Sequence, residues 1–328
     1  MSSGRESSSR SAARSRTRPP LRLARTAPMA GPFLATKLRA FNTRLDELGR
    51  RALASADDDA VHDLRVALRR TRTLLEVGRD IFGRFRVDEV RRALGDVQRA
   101  TGRLRDEEIL LELVASLVTQ RPDVRDWVEA RKRRERRLRT GLRHVLRTGQ
   151  LQIARRLLDA LLAFRVKPSR DRRLDRFARR ALLQAEREVA RRRRSCGGDA
   201  QTLHRLRIAY KHLRYRAATF ADILPPDVVA PIVRASSRFQ SLLGDVHDVD
   251  VVKASVERAR ALPEGGRAAL LSALNRVRAV RIEAFNEGAP EASSARGQNK
   301  KEFSTSGERL PSALHSSGTA SLRKTSTR

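Results

Sequence analysis

Val61–Phe82 reads VHDLRVALRRTRTLLEVGRDIF, and Leu203–Leu224 reads LHRLRIAYKHLRYRAATFADIL. Shifted by 142 positions, His62 falls on His204, Leu64 on Leu206, Arg65 on Arg207, Ala67 on Ala209, Arg72 on Arg214, Asp80 on Asp222 and Ile81 on Ile223. The same shift, without a gap, lays Gln98, Gly102 and Asp106 on Gln240, Gly244 and Asp248. Two separate segments that match at one offset read as an internal repeat. The expected fold is all-α: two pseudo-symmetric antiparallel helical bundles, about residues 31–166 and 170–288. Such halves pack around a pseudo-two-fold axis, which makes their shared face a natural binding site.

Outward from these segments the helical period continues almost unbroken. Turn signals fall near Ala54–Ala60, Gly83, Thr119–Pro122, Thr148–Gly149, Lys167–Arg170, Cys196–Asp199, Pro225–Pro226 and Pro263–Gly266. They divide the chain into roughly eight to ten helices of ordinary length. No period-2 alternation reads as a strand. Residues 1–30, rich in Ser, Arg and Pro, and residues 289–328, rich in Ser, Thr, Gly and Lys, read as disordered basic tails around a folded 31–288.

Within Val61–Phe82 two faces separate. At about 100° per residue, His62, Arg65, Arg69 and Arg72 share about 80° of arc, while Leu64, Ala67, Leu68, Thr71, Leu74 and Leu75 occupy another face. The second copy repeats this with His204, Arg207, Lys211 and Arg214 on the stripe. Its apolar face carries Leu206, Ala209, Tyr210, Leu213 and Ala217. Each stripe spans about 15 Å. A row of cations of that length suits a linear polyanion better than a single phosphate. Arg presents a planar fork of donors and stays charged when partly desolvated, Lys adds a mobile point charge, and His donates to an oxyanion. An arginine-rich helix face is more often plain solvated surface; its recurrence with His at the same place in both copies favours a site. Each His by itself is read equally well as a helix N-terminal or packing residue. The second repeated element, Q-x-x-x-G-x-x-x-D, reads as a structural brace, its Gly allowing two helix backbones to approach and its Asp pairing with a stripe Arg or orienting a His.

The charge balance agrees with a polyanion partner. The chain carries 71 Lys and Arg against 38 Asp and Glu, a net +33, and +23 of this falls on residues 31–288. A protein so basic repels itself unless an anion neutralises it. Nucleic acid, an anionic membrane and a free polyanion are the candidates. No apolar run reaches the ~18 residues of a membrane span, and the N-terminus lacks the apolar region of a secretory signal. Aromatic residues make up 4%, which argues against base stacking on single strands. The single cysteine, Cys196, excludes an internal disulfide and fits a cytoplasmic protein.

The twice-repeated H-x-x-R-x-x-x-[RK]-x-x-R, followed by Leu242–Val251 (LLGDVHDVDV) and the looser Thr101–Leu110 (TGRLRDEEIL), resembles the CHAD family, the conserved histidine α-helical domain. The resemblance covers about residues 33–288. It implies paired four-helix bundles, polyphosphate held in a basic central channel, and association with polyphosphate granules. Carried over by motif, the ligand residues are His62, Arg65, Arg69, Arg72, His204, Arg207, Lys211 and Arg214. Lys211 departs from the Arg of the first copy. Arg92 and Arg234, which coincide at the same offset, form a second tier, and Arg134 and Arg276 coincide likewise. No companion triphosphate-tunnel domain is read in the chain, so the expectation is binding without catalysis, with no cofactor and no metal. The dipeptides His62-Asp63 and His247-Asp248 lack the further ligands that a metal-dependent phosphohydrolase needs. There is no Walker-type glycine loop, no H-E-x-x-H and no G-x-S-x-G. The second-choice partner is a nucleic-acid backbone, bound without sequence preference.

Overall fold

The structure is a computed structural model, and it describes residues 28–54, 58–117, 122–164 and 166–288. The two tails fall outside the described residues apart from 28–30. Ten α-helices are found among the described residues: α1 (Ala30–Ala54), α2 (Asp58–Val77), α3 (Arg79–Phe82), α4 (Arg84–Leu117), α5 (Pro122–Arg147), α6 (Gln150–Ala163), α7 (Leu174–Arg194), α8 (Ala200–Thr219), α9 (Pro226–Glu257) and α10 (Glu264–Glu287). The breaks fall where turn chemistry puts them. Gly83 and Gly149 adopt φ of 96° and 78°, a left-handed backbone that suits glycine alone without strain. Asp199 caps α8, its side chain accepting from the amides of Gln201 and Thr202.

Helix starts recur at the spacing seen in the sequence. α2 and α8 begin 142 residues apart, as do α4 and α9, and α5 and α10. Burial follows the same rule. Val61, Leu64, Ala67 and Leu68 are buried on α2, and Leu203, Leu206, Ala209 and Tyr210 on α8. Leu94, Val97, Leu104 and Val114 are buried on α4, and Ser236, Phe239, Val246 and Val256 on α9. α6 has no counterpart among the described residues; it packs on α1 and α4.

Corresponding helices also touch each other: α2 packs on α8, α4 on α9, α5 on α10 and α1 on α7. At the α5–α10 contact, a Cβ added to Gly266 would lie 3.0 Å from Val124 Cγ2, and these two residues are themselves one offset apart. Like meeting like is what a two-fold axis between halves produces. The starts of α1 and α7 are stitched together by paired backbone bonds, Ala30 to Arg172 and Leu174 to Pro28. Gly31 belongs to that seam: its amide donates to Asp171 Oδ1 at 2.8 Å, and a Cβ there would meet Asp171 Oδ2 at the same distance.

Most of the core is aliphatic, with fully buried Leu34, Leu38, Leu64, Leu68, Leu94 and Leu104. Each such leucine contributes about 1.5–3 kcal/mol of burial. Phe220 closes the α1–α7–α8 corner, stacked on Phe33 at 5.9 Å and edge-on to Phe177 at 6.1 Å. A second, smaller cluster around Trp127, Leu110, Val252 and Leu270 locks the far ends of α4, α5, α9 and α10.

Candidate cation cluster between the two halves

The α2–α8 contact brings the two stripes together. Their apolar faces are drawn into the core by Leu64, Leu68, Leu206 and Leu213, which leaves the basic faces turned toward each other and toward α4 and α9. Arg65, Arg69, Arg207 and Lys211 are all half-buried. Arg65 is repelled by Arg69, Arg207 and Arg105. Lys211 is surrounded by Arg69, Arg207, Arg65 and Arg72. Burial first, and these four arginines next, push its ammonium down to about 7.

Few anions answer this charge. Asp106 on α4 is attracted by Arg65, Arg207 and Arg105, and Asp248 on α9 by Arg207 and Arg105. Burial raises both carboxyls, and the arginines only partly offset it. Across the halves, Arg69 Nε donates to the buried Tyr215 hydroxyl at 2.9 Å. The Arg214 guanidinium lies over the Tyr215 ring, 5.0 Å from its centroid. Arg72 Nη1 donates to Gln98 Oε1 at 2.9 Å. A groove of about 340 Å³ opens between α2 and α4 beside Arg65, Arg72, Gln98 and Gly102. The Nε atoms of Arg72, Arg207 and Arg214 are buried without a hydrogen-bond acceptor among the described residues.

The glycines of the second repeated element act differently from the sequence reading. No helix backbone comes close to them; arginine side chains do. A Cβ on Gly102 would lie 2.9 Å from Arg65 Nη1, and one on Gly244 would lie 3.7 Å from Arg207 Nε. Each glycine leaves room for a guanidinium to lie flat against the neighbouring long helix. Gly95 does the same for Arg72, at 3.6 Å.

The histidines part company. His62 is exposed. His204 is half-buried, and its Nδ1 sits 3.2 Å from Nδ1 of His247, with ring centroids 4.4 Å apart. Burial, then Arg207, His204 and Lys211, push His247 down to about 3. His204 is lowered by burial, Arg207 and Lys211. Both shifts favour the neutral rings, and a hydrogen bond between the two Nδ1 atoms needs one ring to carry its proton there. His212, also on α8, is held near 4 by burial and then by Lys211.

The second tier lies elsewhere. Arg92 and Arg234 are exposed, and the charge of Arg92 falls on Asp88. Arg134 pairs with Glu107 at 3.1 Å, and Arg276 bonds Ser272 at 3.0 Å. Three residues of the cluster escaped the sequence reading: Arg105, His247 and Tyr215. The first two carried a signal, since they occupy one repeat position and each precedes the repeated Asp. Tyr215 stands opposite Thr73 at that offset and carried none. No three His, Cys, Asp or Glu side chains among the described residues are grouped to hold a metal ion. No helix among them is long and apolar enough to cross a membrane.

A family model described as the CHAD domain matches residues 33–257. Among solved structures, the crystal structure of the CHAD domain from the plant Ricinus communis aligns with a TM-score of 0.64 at 18% identity, covering 80% of this chain and 92% of that one. PptA from Streptomyces chartreusis aligns with a TM-score of 0.58 at 16% identity, covering 81% and 100%. At these identities the likeness concerns the fold. No curated protein matches the chain in sequence.

Proposed function

The chain belongs to the CHAD family, and from that premise we propose that it binds inorganic polyphosphate, without catalysis, in the cation cluster between α2 and α8. One observation carries the reading: Arg65, Arg69, Arg207 and Lys211, from two helices and both halves, are half-buried and repel one another, and among the described residues the acids that act on them are Asp106 and Asp248. Like charges drawn out of water raise the free energy of the empty protein. A polyanion relieves that repulsion and supplies acceptors for the guanidinium N–H groups. Arg72, Arg214 and His204 extend the row along the same helices, and His62 stands at its exposed end.

Carriage, not turnover, follows from the same residues. The two carboxylates sit in the field of Arg65, Arg207 and Arg105, and that field repels the divalent cations that phosphoanhydride cleavage uses. The role is that of a polyphosphate adaptor, cytoplasmic and located at polyphosphate granules. The test is competition. Labelled polyphosphate bound to the full chain is challenged with unlabelled polyphosphate, triphosphate, RNA and duplex DNA at equal phosphate concentration. Polyphosphate is expected to displace the label at the lowest concentration. Equal displacement by DNA overturns the reading in favour of diffuse binding to any phosphate backbone.

A further inference from the structure

Outside the central cluster, the outer face of α7 carries a straight row of charge that the protein leaves largely unanswered. α7 packs on α8 and α1 and buries Leu174, Ala178, Leu182, Ala185 and Val189. On its opposite side Arg176, Arg180, Arg187, Arg191 and Arg194 all stand exposed. At about 100° and 1.5 Å per residue, these five fall within about 60° of arc and run about 27 Å along the axis. No acid shares the arc; Asp175, Glu186 and Glu188 project to its flanks.

Some exposed arginines elsewhere find carboxylates, as Arg44 finds Glu47 and Arg84 finds Asp80, while others, such as Arg136 and Arg137 on α5, have none among the described residues. On the ridge Arg191 pairs with Glu188, whereas no carboxylate among the described residues pairs with Arg176, Arg180, Arg187 or Arg194. The arc also lacks aromatic rings for stacking bases and apolar side chains for entering a bilayer. A row of forked cations, bordered by Leu183 and Gln184 rather than by acids or rings, matches a linear phosphate chain.

The ridge ends where the inner stripe begins. Residues 195–199 join α7 to α8, and His204 lies about one turn into α8. Arg194 and His204 therefore stand at the same end of an antiparallel helix pair. We propose that the α7 ridge is a second polyphosphate track, which takes the part of a long chain that runs past the central cluster at the His204 end. This inference rests on the polyphosphate reading above. It makes the protein a discriminator of chain length: an oligophosphate that fills the roughly 15 Å inner stripe gains nothing from the ridge, and a longer chain gains a second row of contacts.

The experiment uses the full chain with Arg176→Gln, Arg180→Gln, Arg187→Gln and Arg194→Gln combined. Affinity is measured for an oligophosphate no longer than the inner stripe and for a polyphosphate many times that length. Long-chain affinity is expected to fall about tenfold, with a shallower salt dependence, while short-chain affinity stays unchanged. A charge-matched control removes Arg133, Arg136, Arg137 and Arg147 from α5. Equal losses in ridge and control variants mean diffuse charge and overturn the proposal. So does loss of the short chain, or loss of duplex DNA binding with long polyphosphate unaffected. A ridge variant that behaves as wild type, while replacement of the central cations abolishes binding, overturns this proposal alone. Wild type that binds neither length overturns the parent reading, and the ridge with it.

Discussion

The two halves place the same cations on the same helix faces and then treat them differently. Arg72 and Arg214 both bury an unpaired Nε, but in the first half Arg72 Nη1 donates to Gln98, whereas in the second Gln240 Oε1 is buried without a partner among the described residues. In the first half, His62 is exposed and the position before the repeated Asp is Arg105; in the second, His204 meets His247 ring to ring at a 38° tilt. The first half offers Arg69 where the second offers Lys211, an amine held near 7. The shared 142-residue spacing therefore fixes where charge sits, while the local packing around each helix decides which charges are permanent. One half is a permanent arginine face. The other is a face whose charge depends on the proton and, by linkage, on the anion.

The comparison breaks most decisively if the inner cations are dispensable. Replacing Arg65, Arg69, Arg207 and Lys211 together with Ala is expected to reduce polyphosphate affinity on the order of a thousandfold or more, as several charge-assisted bonds disappear. Helicity by circular dichroism stays intact, because none of the four lies on an apolar face. The ligand-free variant melts at a higher temperature, since mutual repulsion is removed. A variant that still binds within tenfold of wild type removes the site from this cluster.

Lys211 sharpens the contrast between halves next. Its amine sits well below its ordinary 10.5 in the free protein, and a bound polyanion raises it again. Binding above pH 7 must then take up a proton, so wild-type affinity falls as pH rises from about 7 toward 10. Lys211→Arg stays charged throughout and is expected to flatten that slope. The sign reverses for folding: the native state holds its proton less firmly than the unfolded chain between these values, so Lys211's contribution to ligand-free stability grows with pH. Titrations of affinity and of melting temperature, run in parallel on both proteins, check both signs. Arg65→Lys in the other half is expected to leave the pH profile nearer to wild type.

The histidines should separate by a smaller factor. His204→Ala strips His247 of its ring partner at 4.4 Å and opens a gap beside Arg207, and a loss of several-fold in affinity is expected. His62→Ala, at an exposed position, is expected to stay within about twofold. Equal losses would mean that both histidines touch the ligand in the same way, and that the His204–His247 contact is incidental.

The smallest effect discriminates the two glycines. Ala in a helix interior is about 0.5–1 kcal/mol more favourable than Gly, so Gly102→Ala and Gly244→Ala should both stabilise the free protein slightly. Only Gly102→Ala puts a methyl 2.9 Å from a guanidinium, that of Arg65, so only it should weaken binding, by a few-fold. Gly244→Ala, at 3.7 Å from Arg207, is expected to bind as wild type.

The division between sequence and tertiary structure runs along the same lines. Helix positions, both stripes and the repeat spacing were legible because each depends on the geometry of one helix. A period of 3.6 residues sorts Arg65, Arg69 and Arg72 from Leu64 and Leu68 whatever packs nearby. Breaks at Gly83, Gly149 and Pro263 were legible for the same local reason. The sequence by itself thus determined the all-α fold and the basic faces. Only the tertiary structure decided that α2 and α8 face each other, that Lys211 is enclosed by four arginines, that Tyr215 takes the bond from Arg69 in the opposite half, and that His247 reaches His204 across 43 residues. It also decided that Gly102 makes room for a side chain rather than for a backbone. These properties come from desolvation and from charges on other helices. Both depend on what lies across a packed interface, and no spacing along one helix encodes that.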